Sequence, residues 1–365
     1  MTPKSEIRAE AETLQSVFTQ AGAIPVDAPL MLSADRLLDL YGEDIRARAY
    51  TTDDPDRGEM MLRPDFTLPV VDMHMSEGRA PARYTYLGEV FRKQAAGSGR
   101  ASEYLQLGFE LFDTGDPGRA DAEVFALFHA ALAPLGLRAV TGDMGILLAA
   151  IAALGTTEAR KAALRRHVWR PRRFRALLKR FTATSATRHA DLLMRVDRDG
   201  LDAVIDAAGT ETGLRSRAEI AARIETLRTE AATPPIAGPE ADVLSRILSL
   251  EAPMAEAAER LRDMCVDLAG LTPAVDRFAD RVEALEAAGI DAATLPFEAS
   301  FGRTTMEYYD GFVFGFLARG RDLPPVATGG RYDALTAIIG GGQGVPAVGG
   351  VIRPEIVRQL RGAGA

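Results

Sequence analysis

The stretch FRKQAAGSGRASEYLQLGFELF, Phe91 to Phe112, constrains the fold more than any other part of the chain. It follows on from RYTYLGEVFR and contains YLQLGFELFD, so apolar and polar residues alternate on both sides of a Gly97-Ser98-Gly99 tip. A period of two belongs to strands, whose successive side chains point to opposite faces, and the small tip supplies the reversal. The stretch reads as one long antiparallel hairpin with Arg92 and Arg100 flanking its tip.

The rest of the chain divides into three zones around this hairpin. Residues 1–148 mix helix and strand patterns; the opening MTPKSEIRAEAETLQSVF places Thr2 as N-cap and Pro3 at the first helical position, followed by apolar spacing rather than a signal-peptide core. Residues 149–271 are helical in period almost throughout, broken by AATPPIAGPEA, whose prolines and glycine mark a linker. Residues 272–365 return to strands in LPFEASF, MEYYDGFVFGFL and VPAVGGVIR, with a short helix after Tyr332 and a last one opening at Pro354. Hairpins with helices grouped around them imply a mostly antiparallel sheet in an α+β core, interrupted by a helical insertion.

Several function classes fall away on composition. A net charge of −8 and a pI near 5.3 argue against a surface built to track a phosphate backbone. The exception is RKAALRRHVWRPRRFRALLKR, Arg160 to Arg180, with ten Lys or Arg in twenty-one residues; it reads as an RNA grip, a solvated face or a dock for an acidic partner. A single cysteine, Cys265, excludes a disulfide framework and a cysteine zinc cage, and fits a reducing, cytoplasmic setting. The apolar run GILLAAIAALG from Gly145 is too short to span a bilayer and reads as a buried helix. GGGQGVPAVGG matches no phosphate-loop pattern and reads as turn-forming, while His74, His129, His167 and His189 show no metal-ligand spacing. No cofactor is expected.

Five short motifs remain, in fixed order: MMLRPDFTLPVV, the FR…GR…Q…E hairpin, MEYYDGFVFGF, ATGGRYDAL and VPAVGGVIRPEIV. Together they resemble the catalytic fold of class II aminoacyl-tRNA synthetases, and within that class histidyl-tRNA synthetase. The resemblance covers roughly 240 residues outside 149–271. GAIPVDAPLM sits where that family's dimer-forming first motif lies, which makes Pro29 the candidate for its proline. Histidine contacts are assigned by the resemblance to Asp65 and Thr67 in the RPDFT turn, Gln106 and Glu110 on the second hairpin strand, Tyr309, and Tyr332 beside Gly329 and Gly330; Arg92 is retained beside them. The chemistry agrees, since free histidine offers an ammonium, a carboxylate and two ring nitrogens, which call for carboxylates, a bifunctional amide and hydroxyls.

The departures point away from aminoacylation. The arginine of the closing motif aligns with Ile356, and Arg353 is displaced by three residues; the arginine before the double tyrosine aligns with Thr304, and Arg303 is one residue early, on the opposite face of a strand. Gln94 and Ser102 replace a glutamate and an arginine of the hairpin. Each lost oriented donor removes roughly 2 to 4 kcal/mol of transition-state stabilisation. The chain also ends nine residues after Ile356, and an anticodon-binding domain is not expected. A synthetase-like core with these losses resembles the family of ATP phosphoribosyltransferase regulatory subunits. That resemblance implies a non-catalytic protein which binds and activates the short catalytic subunit at the first step of histidine biosynthesis, takes histidine as effector, charges no tRNA, has no membrane association, and forms a homodimer within a hetero-oligomer. A truncated synthetase with residual adenylation and an RNA-binding paralogue are the alternatives.

Overall fold

The computed structural model describes residues 3–41, 43–95, 97, 101–183, 189–209, 215–303 and 308–362. Thr2, Ser98, Arg100 and Thr304 lie outside them. In chain order the strands are β1 (Ile24–Pro25), β2 (Met31–Ser33), β3 (Thr51–Asp54), β4 (Gly58–Leu62), β5 (Ala82–Phe91), β6 (Glu103–Phe112), β7 (Arg138–Asp143), β8 (Glu251–Pro253), β9 (Pro296–Glu298), β10 (Phe312–Leu317), β11 (Ala327–Arg331) and β12 (Ala347–Ile352). The main sheet runs β1-β5-β6-β12-β11-β10-β7-β9-β8, and β2-β4-β3 form a second. Only the β1–β5 and β7–β9 pairs are parallel, so the fold is the mostly antiparallel α+β arrangement that the alternation implies.

The hairpin forms as its period requires, paired from Ala82↔Phe112 to Phe91↔Glu103. Burial alternates along β5, whereas β6, held between β5 and β12, is buried over most of its length. One face of the sheet carries the aromatic core. Phe109 meets Phe18 of the Lys4–Gln20 helix at 5.4 Å, and Phe128 and Phe125 of the Pro117–Leu132 helix meet Phe314 at 5.4 and 5.6 Å. Beneath that helix, Asp121 accepts from Arg281 Nε at 2.7 Å and pairs with Arg331 Nη2 at 2.8 Å, while Arg281 Nη1 reaches Asp143 at 2.6 Å. Burial alone lowers the Arg281 pKa, but Asp143 and Asp121 outweigh it and the net direction is upward.

Three sequence expectations change on contact with the structure. Of the strand expected over MEYYDGFVFGFL, Met306 and Glu307 lie outside the described residues, Tyr308–Gly311 are not strand, and β10 begins at Phe312; Asp310 turns away to accept from Asp333 N and Ala334 N at 3.1 and 2.6 Å. Within GGGQGVPAVGG, read as turn-forming, Gly349 and Gly350 belong to β12, paired with Gly330 and Gly329 of β11; the turn glycines are Gly341 and Gly342, with φ of +62° and +98°. Finally, 149–271 is not helical throughout: β8 pairs with β9 at the sheet edge, and the Met254–Met264 helix sinks Met254, Ala257 and Leu261 into the main core. A three-residue strand carries no period to read. The run from Gly145 lies in the buried Met144–Ala153 helix, capped by Asp143 on Gly145 N at 2.7 Å. Among the described residues no helix is long and apolar enough to cross a membrane.

Candidate functional site

Side chains alternate along strands, so the residues flanking the aromatic face point the other way. There, register aligns Tyr84, Glu110, Gly349, Gly330, Val313 and Gly142 in one row across six strands. The glycines matter for space rather than for backbone angle. A Cβ on Gly349 would overlap Glu110 Oε2, one on Gly330 would press Tyr309, and one on Gly108 would overlap the Tyr86 hydroxyl. The glycine pairs thus clear a trough into which Glu110 leans.

Three hydroxyls converge on that carboxylate. Tyr332 donates to Glu110 Oε2 at 2.5 Å, Tyr86 to Oε1 at 2.9 Å, and Thr67 to Oε1 at 3.3 Å. Thr67 opens the Thr67–Glu77 helix and also meets the Tyr308 hydroxyl at 3.3 Å. The Glu110 carboxyl is pushed up to about 7, by burial first and also by nearby Asp65, against the three hydroxyl donors, which pull it down. Burial, and next the Glu110 charge, raise the hydroxyl pKa values of Tyr86, Tyr309 and Tyr332, which therefore stay protonated donors. The strongest influences on Glu110 among the described residues are its burial, the three hydroxyls and Asp65.

Of the residues assigned by the resemblance, Thr67, Glu110, Tyr309 and Tyr332 share this one site. Asp65 and Arg92 stand at its edge and face each other: Arg92 Nη2 lies 3.7 Å from Asp65 Oδ2, and its Nε donates to Pro64 O at 2.7 Å. Gln106 is two hairpin rows beyond Gly108, on the same face, buried, with an Oε1 that accepts no hydrogen bond among the described residues. Between it and Glu110 the Tyr86 ring stacks on Phe66 at 4.4 Å, and Arg63 covers Phe66 at 3.9 Å. Tyr86 and Tyr308 escaped the sequence reading. Tyr86 was legible as an alternate residue of β5 facing Glu110, but the reach of Tyr308 to Thr67 depends on a contact across 241 positions.

The other arginines each donate to a backbone carbonyl. Arg303 sits in a turn rather than on a strand face, and donates from Nε to Val168 O at 2.9 Å. Arg353 donates to Pro325 O at 2.5 Å, and Ile356 is buried in the Pro354–Gly362 helix. The basic stretch folds into the Glu158–Arg166 and Pro171–Thr182 helices, and its first residue, Arg160, is buried against Glu230 at 3.1 Å and Pro234 O at 2.7 Å. Pro29 is exposed next to the exposed Leu30 and Met31. No cluster of His, Cys, Asp or Glu suited to a metal ion occurs among the described residues.

Comparison with known proteins gives a consistent result. The family described as histidyl-tRNA synthetase matches residues 3–233 and 202–357. An ATP phosphoribosyltransferase regulatory subunit of Allorhizobium ampelinum is 34% identical over 358 residues, 93% of this chain and 94% of its own. A protein of the same name from Mesorhizobium japonicum is 32% identical over 376 residues, 98% of this chain and 99% of its own. Among solved structures, an ATP phosphoribosyltransferase regulatory subunit/histidyl-tRNA synthetase from Bacillus halodurans has a TM-score of 0.68 at 20% identity, covering 98% of this chain and 80% of that one. Histidyl-tRNA synthetase from Nostoc gives 0.64 at 14% identity, covering 99% and 73%. Both structures share this chain's fold.

Proposed function

We propose, since this chain belongs to the family of ATP phosphoribosyltransferase regulatory subunits, that it binds the short catalytic subunit of that enzyme, activates it at the first step of histidine biosynthesis, and passes on feedback inhibition by histidine. The observation that carries the effector part is Glu110: a buried carboxylate with three hydroxyl donors and a raised pKa, which a bound ammonium or ring N–H would complete. Thr67, Tyr309 and Tyr332 line that pocket, Gln106 offers its open Oε1 to a second donor of the ligand, and the Asp65–Arg92 pair closes the edge.

The protein itself is non-catalytic in this reading. Charge on a transferring phosphoryl group needs arginines aimed at it; Arg92 and Arg353 donate to backbone carbonyls, and Arg303 lines a cavity that shares no lining residue with the Glu110 pocket. Histidine and the catalytic subunit each bias a shared conformational equilibrium, so histidine binding and assembly are reciprocally linked. Residues 149–271 form an insertion on the synthetase-like core, its basic helices serve an acidic face of the partner, and the complex is cytoplasmic and built on a homodimer through the Pro29 region.

The test is phosphoribosyl-ATP formation by a short-form catalytic subunit, with and without this protein, at rising histidine. A histidine-dependent ATP–pyrophosphate exchange assay on this protein alone runs beside it. Activation that histidine reverses, with no exchange, is the expected result. Exchange without activation would mean a working synthetase and overturn the proposal.

A further inference from the structure

Beside the loop after β9, a cavity of about 890 Å³ runs between the Pro171–Thr182 and Gly238–Leu248 helices and shares no lining residue with the Glu110 pocket. Small-molecule sites occupy roughly 300 to 1,000 Å³. Arg303 lines this cavity and is only 3% exposed. Its Nε is used by Val168 O and its guanidinium lies 5.4 Å from the Phe174 ring centroid, but the buried Nη2 has no hydrogen-bond partner among the described residues. Burial first, and Arg175 next, lower its pKa, and no carboxylate among the described residues opposes them. Arginine stays charged at any ordinary pH, so a cation held in this way leaves a desolvation cost that the protein does not offset.

The remaining walls give the cavity a polarity. Arg175 and Lys179, four residues apart and hence on one face of their helix, are exposed at the cavity and form no ion pair among the described residues. Asp242, across from them, is the acid of the lining, against three cations. Leu178, Ile236 and Leu248 supply an apolar surface beside them. A buried guanidinium with open N–H groups, two further cations at the mouth and an apolar wall match one ligand chemistry.

We propose that this cavity binds a small organic oxyanion, a phosphate or carboxylate carried on an apolar body, with the head on Arg303 and the body on Leu178, Ile236 and Leu248. The site is separate from the Glu110 pocket and requires no partner, so it stands or falls independently of the regulatory role. The contrary reading makes Arg303 a strut, tying Val168 and Phe174 to the loop after β9.

Ligand-observed NMR and calorimetry on the full chain, with phenyl phosphate, phenylpropionate and inorganic phosphate as probes, decide between them. Binding of an aromatic anion, displaced by inorganic phosphate only at higher concentration, is expected, and whichever aromatic probe binds more tightly identifies the head group. Arg303→Met should weaken binding at least about tenfold, the cost of losing a charge-assisted hydrogen bond, without lowering the melting temperature of the unliganded protein. Lys179→Ala, at an exposed position where folding is not at stake, should weaken binding about threefold and flatten its salt dependence. No binding by any probe up to about 10 mM overturns the site, as does unchanged affinity in both variants; a lower melting temperature in Arg303→Met with no probe bound to the wild type establishes the strut.

Discussion

Beneath the Pro117–Leu132 helix, Asp121 and Asp143 are buried against Arg281 and Arg331; on the other face of the sheet Glu110 is just as buried and meets only hydroxyls. The first cluster is complete. Each carboxylate has a guanidinium partner, and Asp143 also caps a helix, so nothing further needs to bind. Hydroxyls, by contrast, satisfy the lone pairs of Glu110 without neutralising its charge, and although they pull its pKa down, burial still raises it to about 7. Among buried acids, then, a cation partner marks scaffold, and a shell of neutral donors marks a place reserved for a ligand's cation.

The sharpest way to break this contrast is to take the cation from the complete cluster. Arg281→Met leaves Asp121 short of one partner and Asp143 without its own, and should cost about 3–5 kcal/mol of unfolding free energy, read by urea denaturation. A cost below about 1 kcal/mol would mean that the aspartates are neutral and the contrast is misdrawn.

Glu110 makes the opposite prediction. Its folded pKa of about 7 stands above the ordinary 4.5, so the folded state holds a proton that the unfolded state gives up earlier. The corresponding stability is present below pH 4.5 and is lost as pH rises through about 7, some 3 kcal/mol at most by linkage. Unfolding free energies at pH 5 and pH 8 should fall by that much more in the wild type than in Glu110→Gln. Saturating histidine should remove the difference, because a bound cation restores the carboxylate. A smaller effect is expected of Gly349→Ala. Its added methyl group displaces the Glu110 carboxyl at a cost of about 1–3 kcal/mol, and histidine binding measured by calorimetry should weaken more than stability does.

How much of this was legible in the sequence differs by element. The hairpin was, because its period of two persists over ten residues on each strand. Glu110, Thr67 and Tyr332 were placed by motif, and the structure adds the reason for their proximity: two facing glycine pairs, Gly329–Gly330 and Gly349–Gly350, are strand positions whose missing side chains admit the carboxyl. Asp121 and Arg281 were not legible at all. They lie 160 residues apart on helices whose other residues look ordinary, and only packing shows that they meet. Arg303 was misread for the same reason, since its face depends on where the chain turns after β9.

The smallest expected effect separates holding the ligand from tuning the carboxylate. Tyr332 makes the shortest hydrogen bond to Glu110, and among the donors it pulls the pKa down most. Tyr332→Phe removes that donor while keeping the ring, so Glu110 should titrate higher by on the order of one unit. If histidine needs the ionised carboxylate, its affinity at pH 7 should fall by roughly fivefold, while at pH 9, where Glu110 is ionised in either protein, the loss should all but vanish. A loss of equal size at both pH values would place the Tyr332 hydroxyl on the ligand itself. An unchanged profile would mean that Tyr86 and Thr67 alone set the charge of Glu110, and that the hydroxyl shell is less closely coupled than its geometry implies.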